Sequence, residues 1–339
     1  MINRIYRLID TKRIEMVMRE VVANSASIIT TPDYITVCAA DQRYYLGKRR
    51  REVLRTKLPM ALIHEATATV KYDLSKQLNN AEKVVLVPLK TETTDLKMKA
   101  NYNPSSMFQS SGIDGFLQDY VTTDKNGLIP ITDNYSVVYV FCEVLSVIYN
   151  AIEAFESICV NGKESFGIWG DGNIGYIAGL VIRCLYPDSK IYSFGKTARK
   201  LERFSFSDEV FYIDDVPKGL QIDNCFECVG DVGSESAIRQ IISMISPQGC
   251  VSLLGVSEEE ISINTRSILD KGLRIIGNSR STKDDFVKAV NLIQTSNTCR
   301  RYLETLISEV IEIHNEKDIV RLFEQDMLND FKTVGKWMI

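Results

Sequence analysis

The sequence predicts an α/β protein that combines a doubly wound parallel sheet with a second, strand-rich domain. Between about residues 155 and 280, short apolar runs alternate with longer helical periods, a pattern typical of βαβ units. A glycine motif, Gly170 to Gly175, joins the first of these runs to a helix. The length of 339 residues fits two domains of ordinary size.

The composition excludes several classes of protein. Hydrophobic residues make up 45% and charged residues 25% of the chain, so disorder is not its main state. The net charge of −4 argues against bulk nucleic-acid binding. The apolar stretch 136–152 is short for a membrane span and contains Glu143, and the N-terminus has no signal-peptide pattern. Together with eight scattered cysteines, this predicts a cytoplasmic protein with reduced thiols that binds neither nucleic acid nor membrane.

Three segments follow one another along the chain. Up to about residue 130 we expect short strands and loops, with strands in ASIITT, AEKVVLVPL and DGFLQDYV and a surface loop over 89–106. The βαβ segment has strands in SFGIW, KIYSFG, EVFYI, NCFECV, CVSLLG and LRIIG, and helices in IGYIAGLVIRCLY and SESAIRQIISMI. From about residue 283, two helical periods flank the run LISEVIEI. We therefore predict a catalytic domain over 1–150, completed by 283–339, and a dinucleotide-binding domain over 151–282.

The glycine motif Gly170-Asp171-Gly172-Asn173-Ile174-Gly175 predicts a dinucleotide site. The first glycine permits a tight turn, the second lets the backbone approach a pyrophosphate, and the third lets helix and strand pack closely. The helix that follows offers free N–H groups to the phosphates. A glycine turn without a ligand is the alternative, and the strand before it and the helix after it favour the dinucleotide.

The end of the second strand of this unit predicts which dinucleotide binds. An NAD site places an acidic residue there, but the chain continues from Gly195 to Lys196, Thr197 and Arg199. Cations and a hydroxyl suit a 2′-phosphate, which a carboxylate would repel. We therefore predict NADPH, with a solvated basic start to a helix as the alternative.

The only two histidines are His64 and His314, and Cys38 lies 26 residues before His64. This spacing alone says nothing about a metal, and a single Cys and a single His are most often core residues. Longer motifs, compared with those of known enzyme families, favour a metal site over two core residues. Those motifs are Cys38-Ala39-Ala40-Asp41 with Gly47, His64-Glu65, Val84 to Pro88, Gly112 to Val121, Glu143 to Val147, and Glu227 to Gly230.

In these motifs and in the order of its domains, the chain resembles the zinc-dependent medium-chain dehydrogenases and reductases. The resemblance implies a GroES-like catalytic domain beside the Rossmann domain, and one catalytic zinc held by Cys38, His64 and Glu143. It gives Glu65 the role of an exchangeable ligand or support, and Asp41 that of an acceptor that orients the histidine.

The chain departs from the family pattern at three places. Ile63 replaces the glycine before the histidine, and Ala40 replaces a proton-relaying Ser or Thr. Residues 89–118 contain no cysteine, so we expect no structural zinc.

Several longer strings, among them CAADQRYYLG, LPMALIHE and SFGIWGDGNIGY, resemble the ribulose-5-phosphate reductases. That family implies NADPH-dependent reduction of D-ribulose 5-phosphate to D-ribitol 5-phosphate, which supplies CDP-ribitol for teichoic acids or capsules. It also implies a cytidylyltransferase as a partner, and we expect a homodimer. The alternatives are a polyol dehydrogenase acting on a neutral sugar alcohol and a non-catalytic NADP-binding sensor.

A sugar-phosphate substrate needs cations. By resemblance to polyol dehydrogenases, Arg280 falls at a substrate-binding position, with a solvated loop charge as the alternative. Arg43 follows the Cys38 turn and is a second candidate, whereas the basic run 48–51 is more typical of a solvated face. Tyr45 is predicted to line the substrate pocket, with burial in the core as the alternative.

Overall fold

A computed structural model describes residues 1–91 and 97–339. The strands are β1 (Ile2–Asp10), β2 (Arg13–Glu20), β3 (Ile28–Thr36), β4 (Met60–Ala61), β5 (Glu65–Asp73), β6 (Lys83–Leu86), β7 (Leu89–Lys90), β8 (Met107–Phe108), β9 (Val121–Thr123), β10 (Leu128–Pro130), β11 (Ser165–Trp169), β12 (Lys190–Gly195), β13 (Glu209–Tyr212), β14 (Ile222–Glu227), β15 (Ile245–Leu253), β16 (Arg274–Gly277), β17 (Ile307–Ile313) and β18 (Lys332–Trp337). The helices are α1 (Ala39–Tyr45), α2 (Arg51–Lys57), α3 (Cys142–Ile158), α4 (Asn173–Leu185), α5 (Ala198–Leu201), α6 (Gly233–Met244), α7 (Thr265–Lys271), α8 (Lys283–Thr295), α9 (Asn297–Glu304) and α10 (Glu316–Leu328). Short 3-10 helices cover Ala100–Tyr102 and Val137–Phe141.

The chain forms two compact units. The first comprises Met1–Ser146 and Ser281–Ile339, and the second comprises Val147–Arg280. Helix α3 starts in the first unit and ends in the second. Each unit contains its own cluster of buried apolar side chains.

The first unit is built on a mixed sheet with the strand order β10-β6-β5-β3-β18-β17, and β9 also pairs with β3. Strands β5 and β18 run antiparallel to the central strand β3, and β17 runs parallel to β18. A smaller sheet, β2-β1-β4, packs Tyr6 of β1 edge-on against Trp337 of β18. This arrangement places the carboxyl end of β3 next to the amino end of β5, which positions the site described below.

The second unit is a six-stranded parallel sheet with the order β13-β12-β11-β14-β15-β16. The order reverses at β11, the strand that precedes the glycine motif. Doubly wound sheets bind their ligands at such a switch point, outside the carboxyl ends of the strands. The predicted fold class, a Rossmann sheet beside a strand-rich catalytic domain, is confirmed.

Four features of the elements differ from what the sequence predicts. The N-terminus forms the hairpin β1–β2, which the sequence analysis did not predict, and the C-terminal segment has three helices and two strands. Most of DGFLQDYV is not a strand, since Val121 alone belongs to one. The rest of this segment forms scattered backbone hydrogen bonds, such as Gly115 N to Ala61 O and Asp119 N to Arg4 O. Of the loop predicted over 89–106, residues 92–96 lie outside the described residues, and β7 begins the remainder.

The helical stretch Val137–Ile158 has the length of a membrane span and a mean hydropathy of 1.6. However, 78% of its apolar window is buried inside the protein. A buried window of this kind is typical of the core helix of a soluble protein, because its apolar surface is already covered by protein.

Candidate active site

A cluster of three ligand-type side chains lies where β3 ends and β5 begins. The sulfur of Cys38, a ring nitrogen of His64 and a carboxylate oxygen of Glu65 all lie within 4.8 Å of one another. Thr36 and Glu65 are direct partners in the β3–β5 ladder, so the sheet register brings these distant segments together. Sulfur, imidazole and carboxylate are the donors that zinc prefers, and the residues therefore fit this metal.

Asp41 is fully buried next to the cluster. It forms a capping box with Cys38 at the start of α1, in which its carboxylate accepts from the Cys38 backbone N–H. The same carboxylate accepts from Ile63 N at 3.1 Å and lies 3.3 Å from His64 Nδ1. Burial opposes its ionisation, but His64 and these N–H groups lower the pKa of Asp41. Asp41 therefore fixes both the cysteine turn and the histidine ring.

The His64 ring is held on one side by polar groups. Its Nδ1 lies 2.6 Å from Ser110 Oγ, in addition to the Asp41 contact, and the ring packs edge-on against Phe108. Because Nδ1 is occupied by these partners, Nε2 is the nitrogen available to a metal.

Ile63 has a strained backbone next to the histidine. Its φ of 71° lies in the left-handed region, where a β-branched residue is a rare outlier. Asp41 accepts from its N–H, and its carbonyl accepts from Phe116 N at 2.8 Å. Gly115 packs against the same peptide so closely that a Cβ there would lie 2.3 Å from Ile63 O. The surrounding structure thus imposes on isoleucine a conformation that suits glycine.

Glu143 lies in the first turn of α3 and is 6% exposed. It is not a member of the 4.8 Å cluster among the described residues. Burial raises its pKa to about 7; His64 and Lys332 oppose this rise, and Glu65 and Asp41 add to it. Glu143 is therefore within electrostatic range of His64, Glu65 and Asp41.

Lys332 of β18 holds the Glu65 carboxylate from the side of the sheet. Its ammonium donates to both Glu65 oxygens, at 2.9 and 2.7 Å, and to Val37 O at 2.6 Å. The Thr36 hydroxyl donates to the same carboxylate. Lys332 and Glu65 are both buried, and although burial opposes the charge, Glu65 and Cys38 raise the pKa of Lys332. Both side-chain oxygens of Glu65 are thereby engaged in hydrogen bonds.

The glycine motif forms the turn between β11 and α4. Gly170 has a φ of 127°, and a Cβ on Gly175 would lie 1.9 Å from Gly170 O, so neither position tolerates a side chain. A Cβ on Gly172 would meet nothing within 4 Å, which leaves its face open to a ligand. Asn173 and Ile174 form the first turn of α4.

A cavity of about 430 Å³ lies beside this turn. It is lined by the ends of β11 and β12 and by α6, including Gly172, Lys196 and Cys228. Buried Glu227, at the end of β14, accepts hydrogen bonds from Val229 N, Ser234 Oγ and neighbouring N–H groups and so fixes one wall of the cavity. Lys196 is exposed directly after β12, Thr197 directly precedes α5, and Arg199 is exposed within α5.

The predicted substrate residues have different surroundings. Arg43 is half-buried in the last turn of α1, and Arg280 is half-buried with a left-handed φ of 57°. Tyr45 is fully buried and its ring stacks on Phe323, with the ring centres 4.6 Å apart. This position corresponds to the core alternative for Tyr45.

Three residues that contact the cluster are not predicted by any sequence motif: Lys332, Thr36 and Ser110. Lys332 lies 267 residues from Glu65 in sequence, so no local spacing could connect them. The signal available was a lysine in the otherwise strand-like run KTVGKW, where burial demands a carboxylate partner.

Comparison with known proteins identifies the class to which the fold belongs. The family described as zinc-binding dehydrogenase matches residues 189–295. The sheet order described above and this match together define the fold of a zinc-type dehydrogenase.

Relatives that match over the full length of the chain show which family within this class it belongs to. Ribulose-5-phosphate reductase 1 of Staphylococcus aureus is 44% identical, and the reductase of Bacillus spizizenii is 40% identical, each over 100% of both chains. The crystal structure of S. aureus TarJ in complex with NADPH is 41% identical and superposes with a TM-score of 0.89 over 100% of both chains. The chain belongs to the ribulose-5-phosphate reductase family. The predicted resemblance and enzyme class are confirmed.

Proposed function

We propose that this enzyme reduces D-ribulose 5-phosphate to D-ribitol 5-phosphate with NADPH and zinc. The observation that carries the proposal is full-length identity of 40–44% to ribulose-5-phosphate reductases, combined with the cluster of Cys38, His64 and Glu65. The first unit supplies catalysis and the second binds the dinucleotide.

Cys38, His64 and Glu143 would hold the metal, with Glu65 beside them. Zinc, when bound, acts as a Lewis acid that polarises a ketone and makes its carbon easier to reduce by hydride. Asp41 keeps the His64 ring oriented through Nδ1, and Lys332 offsets part of the negative charge that a thiolate and two carboxylates bring together.

The proton for the C2 oxygen of the substrate comes from water in this proposal. Ala40 has no hydroxyl with which to relay it. Glu65 is a poor donor because both of its oxygens accept hydrogen bonds from Lys332. Neither residue offers a proton, and solvent remains as the source.

The dinucleotide is held by the turn from Gly170 to Gly175, whose open Gly172 admits the pyrophosphate. Lys196, Thr197 and Arg199 bind the 2′-phosphate through charge-assisted hydrogen bonds. Arg280 or Arg43 binds the phosphate of the substrate, which keeps C2 in line for the hydride.

The enzyme acts in the cytoplasm as a homodimer and supplies D-ribitol 5-phosphate for CDP-ribitol. A cytidylyltransferase that consumes this product is its partner. Teichoic acid or a capsule polymer is the end product in this proposal.

A substrate comparison tests the activity. Zinc-loaded protein is assayed by NADPH oxidation with D-ribulose 5-phosphate and with D-ribulose. We expect a much higher kcat/KM for the phosphorylated ketose, because only it engages the cations. Efficient reduction of neutral ketoses without reduction of ribulose 5-phosphate would instead identify a polyol dehydrogenase.

A further inference from the structure

Asp171, the residue between the first two glycines of the motif, connects the turns that follow two neighbouring strands. Its Oδ2 accepts from Lys196 N at 2.8 Å and from Thr197 N at 2.7 Å. The turn after β12 is therefore anchored by a side chain that comes from the turn after β11.

The same side chain fills the space beside the end of β12. A Cβ on Gly195 would lie 2.6 Å from the Cβ and 2.8 Å from Oδ2 of Asp171. Asp171 thus leaves room only for glycine at position 195. The acidic residue that an NAD site carries at the end of this strand does not fit there.

We propose that Asp171 is a positioning residue for selection of the 2′-phosphate. Its carboxylate fixes the backbone of Lys196 and Thr197, so that the side chains of this turn converge on the phosphate. This inference rests on the proposed use of NADPH. Asp171 acts through the turn, since its Oδ2 is directed at backbone N–H groups.

The opposite role for Asp171 is electrostatic repulsion of the 2′-phosphate, which is also negative. Two N–H donors to one oxygen reduce this repulsion, because they offset part of the charge. Substitutions separate the two roles. Asp171→Asn keeps an acceptor oxygen without the charge, whereas Asp171→Ala removes both.

The test is calorimetric binding of 2′,5′-ADP and of 5′-AMP to the full-length protein. These probes differ in the 2′-phosphate and require neither zinc nor the sugar. We expect Asp171→Ala to weaken 2′,5′-ADP at least tenfold and 5′-AMP less than threefold, while Asp171→Asn keeps most of the affinity for both. Asp188→Ala, an exposed acid just before the other end of β12, is the matched control and should bind like the wild type.

Tighter binding of 2′,5′-ADP by either Asp171 variant would overturn the inference in favour of repulsion. Equal weakening of both nucleotides by Asp171→Ala would also overturn it, since the role would then be general to the fold. A wild type without preference for 2′,5′-ADP would refute the NADPH assignment itself. Failure of ribulose 5-phosphate reduction with normal nucleotide binding would refute only the substrate.

Discussion

At the scale of single residues, the site depends on contacts that no sequence motif displays. Cys38 and His64 could be predicted from family resemblance, because their motifs are local. The contact of Glu65 with Lys332 joins β5 to β18 and follows from sheet register alone. The sequence allowed Tyr45 either in the substrate pocket or in the core. Its stack on Phe323 places it in the core.

Cys38→Ser and His64→Ala should each lose zinc and activity while NADPH binding remains close to that of the wild type. The reason is that both residues belong to the metal cluster in the first unit, whereas the glycine turn lies in the second. Metal content by mass spectrometry and NADPH binding by fluorescence measure the two effects. Full activity of either variant would contradict the assigned ligands.

Lys332→Met should lower the free energy of unfolding of the metal-free protein by about 3–5 kcal/mol, because it leaves the buried Glu65 carboxylate without its cation. The double variant Lys332→Met with Glu65→Gln should recover much of this loss, since no uncompensated charge remains. Denaturant unfolding of the single and double variants measures the coupling. Additive effects of the two substitutions would show that the pair is not energetically coupled.

At the scale of elements, alternation of strands and helices was sufficient to predict the second unit. The first unit was harder to predict because its elements carry charges in buried or edge positions. Strand β2 is largely exposed, and β18 carries Lys332, which is 3% exposed only because Glu65 pairs with it. Because of this charge, the interior strand β18 was not predicted from the sequence.

The strained turn before β5 depends on Gly115. Gly115→Ala should destabilise the protein by about 1–3 kcal/mol and weaken zinc binding, because its Cβ would meet Ile63 O at 2.3 Å and Leu62 O at 2.5 Å and displace the backbone next to His64. Gly112→Ala is the matched control, since its Cβ would lie 3.6 Å or more from its neighbours. Thermal unfolding and competition with a zinc chelator provide the readouts. Wild-type zinc affinity in Gly115→Ala would rule out this coupling.

At the scale of the whole molecule, the metal cluster and the glycine turn lie in two units with separate cores. The first carries the metal cluster, and the second carries the glycine turn and the Asp171 anchor. This division could be predicted from the order of patterns along the chain. The identity of the sugar was predicted only through the resemblance of longer strings to ribulose-5-phosphate reductases, because composition and spacing do not distinguish one carbonyl substrate from another.

The central claim, zinc-assisted hydride transfer to C2 of ribulose 5-phosphate, is tested most directly with NADPH deuterated at the transferring position of C4. The product is analysed by mass spectrometry with zinc-loaded and with metal-depleted protein. We predict D-ribitol 5-phosphate carrying one deuterium at C2 from the zinc-loaded enzyme, and loss of this product on metal depletion with recovery when zinc is returned. Unlabelled product, or equal labelling without metal, would contradict the account.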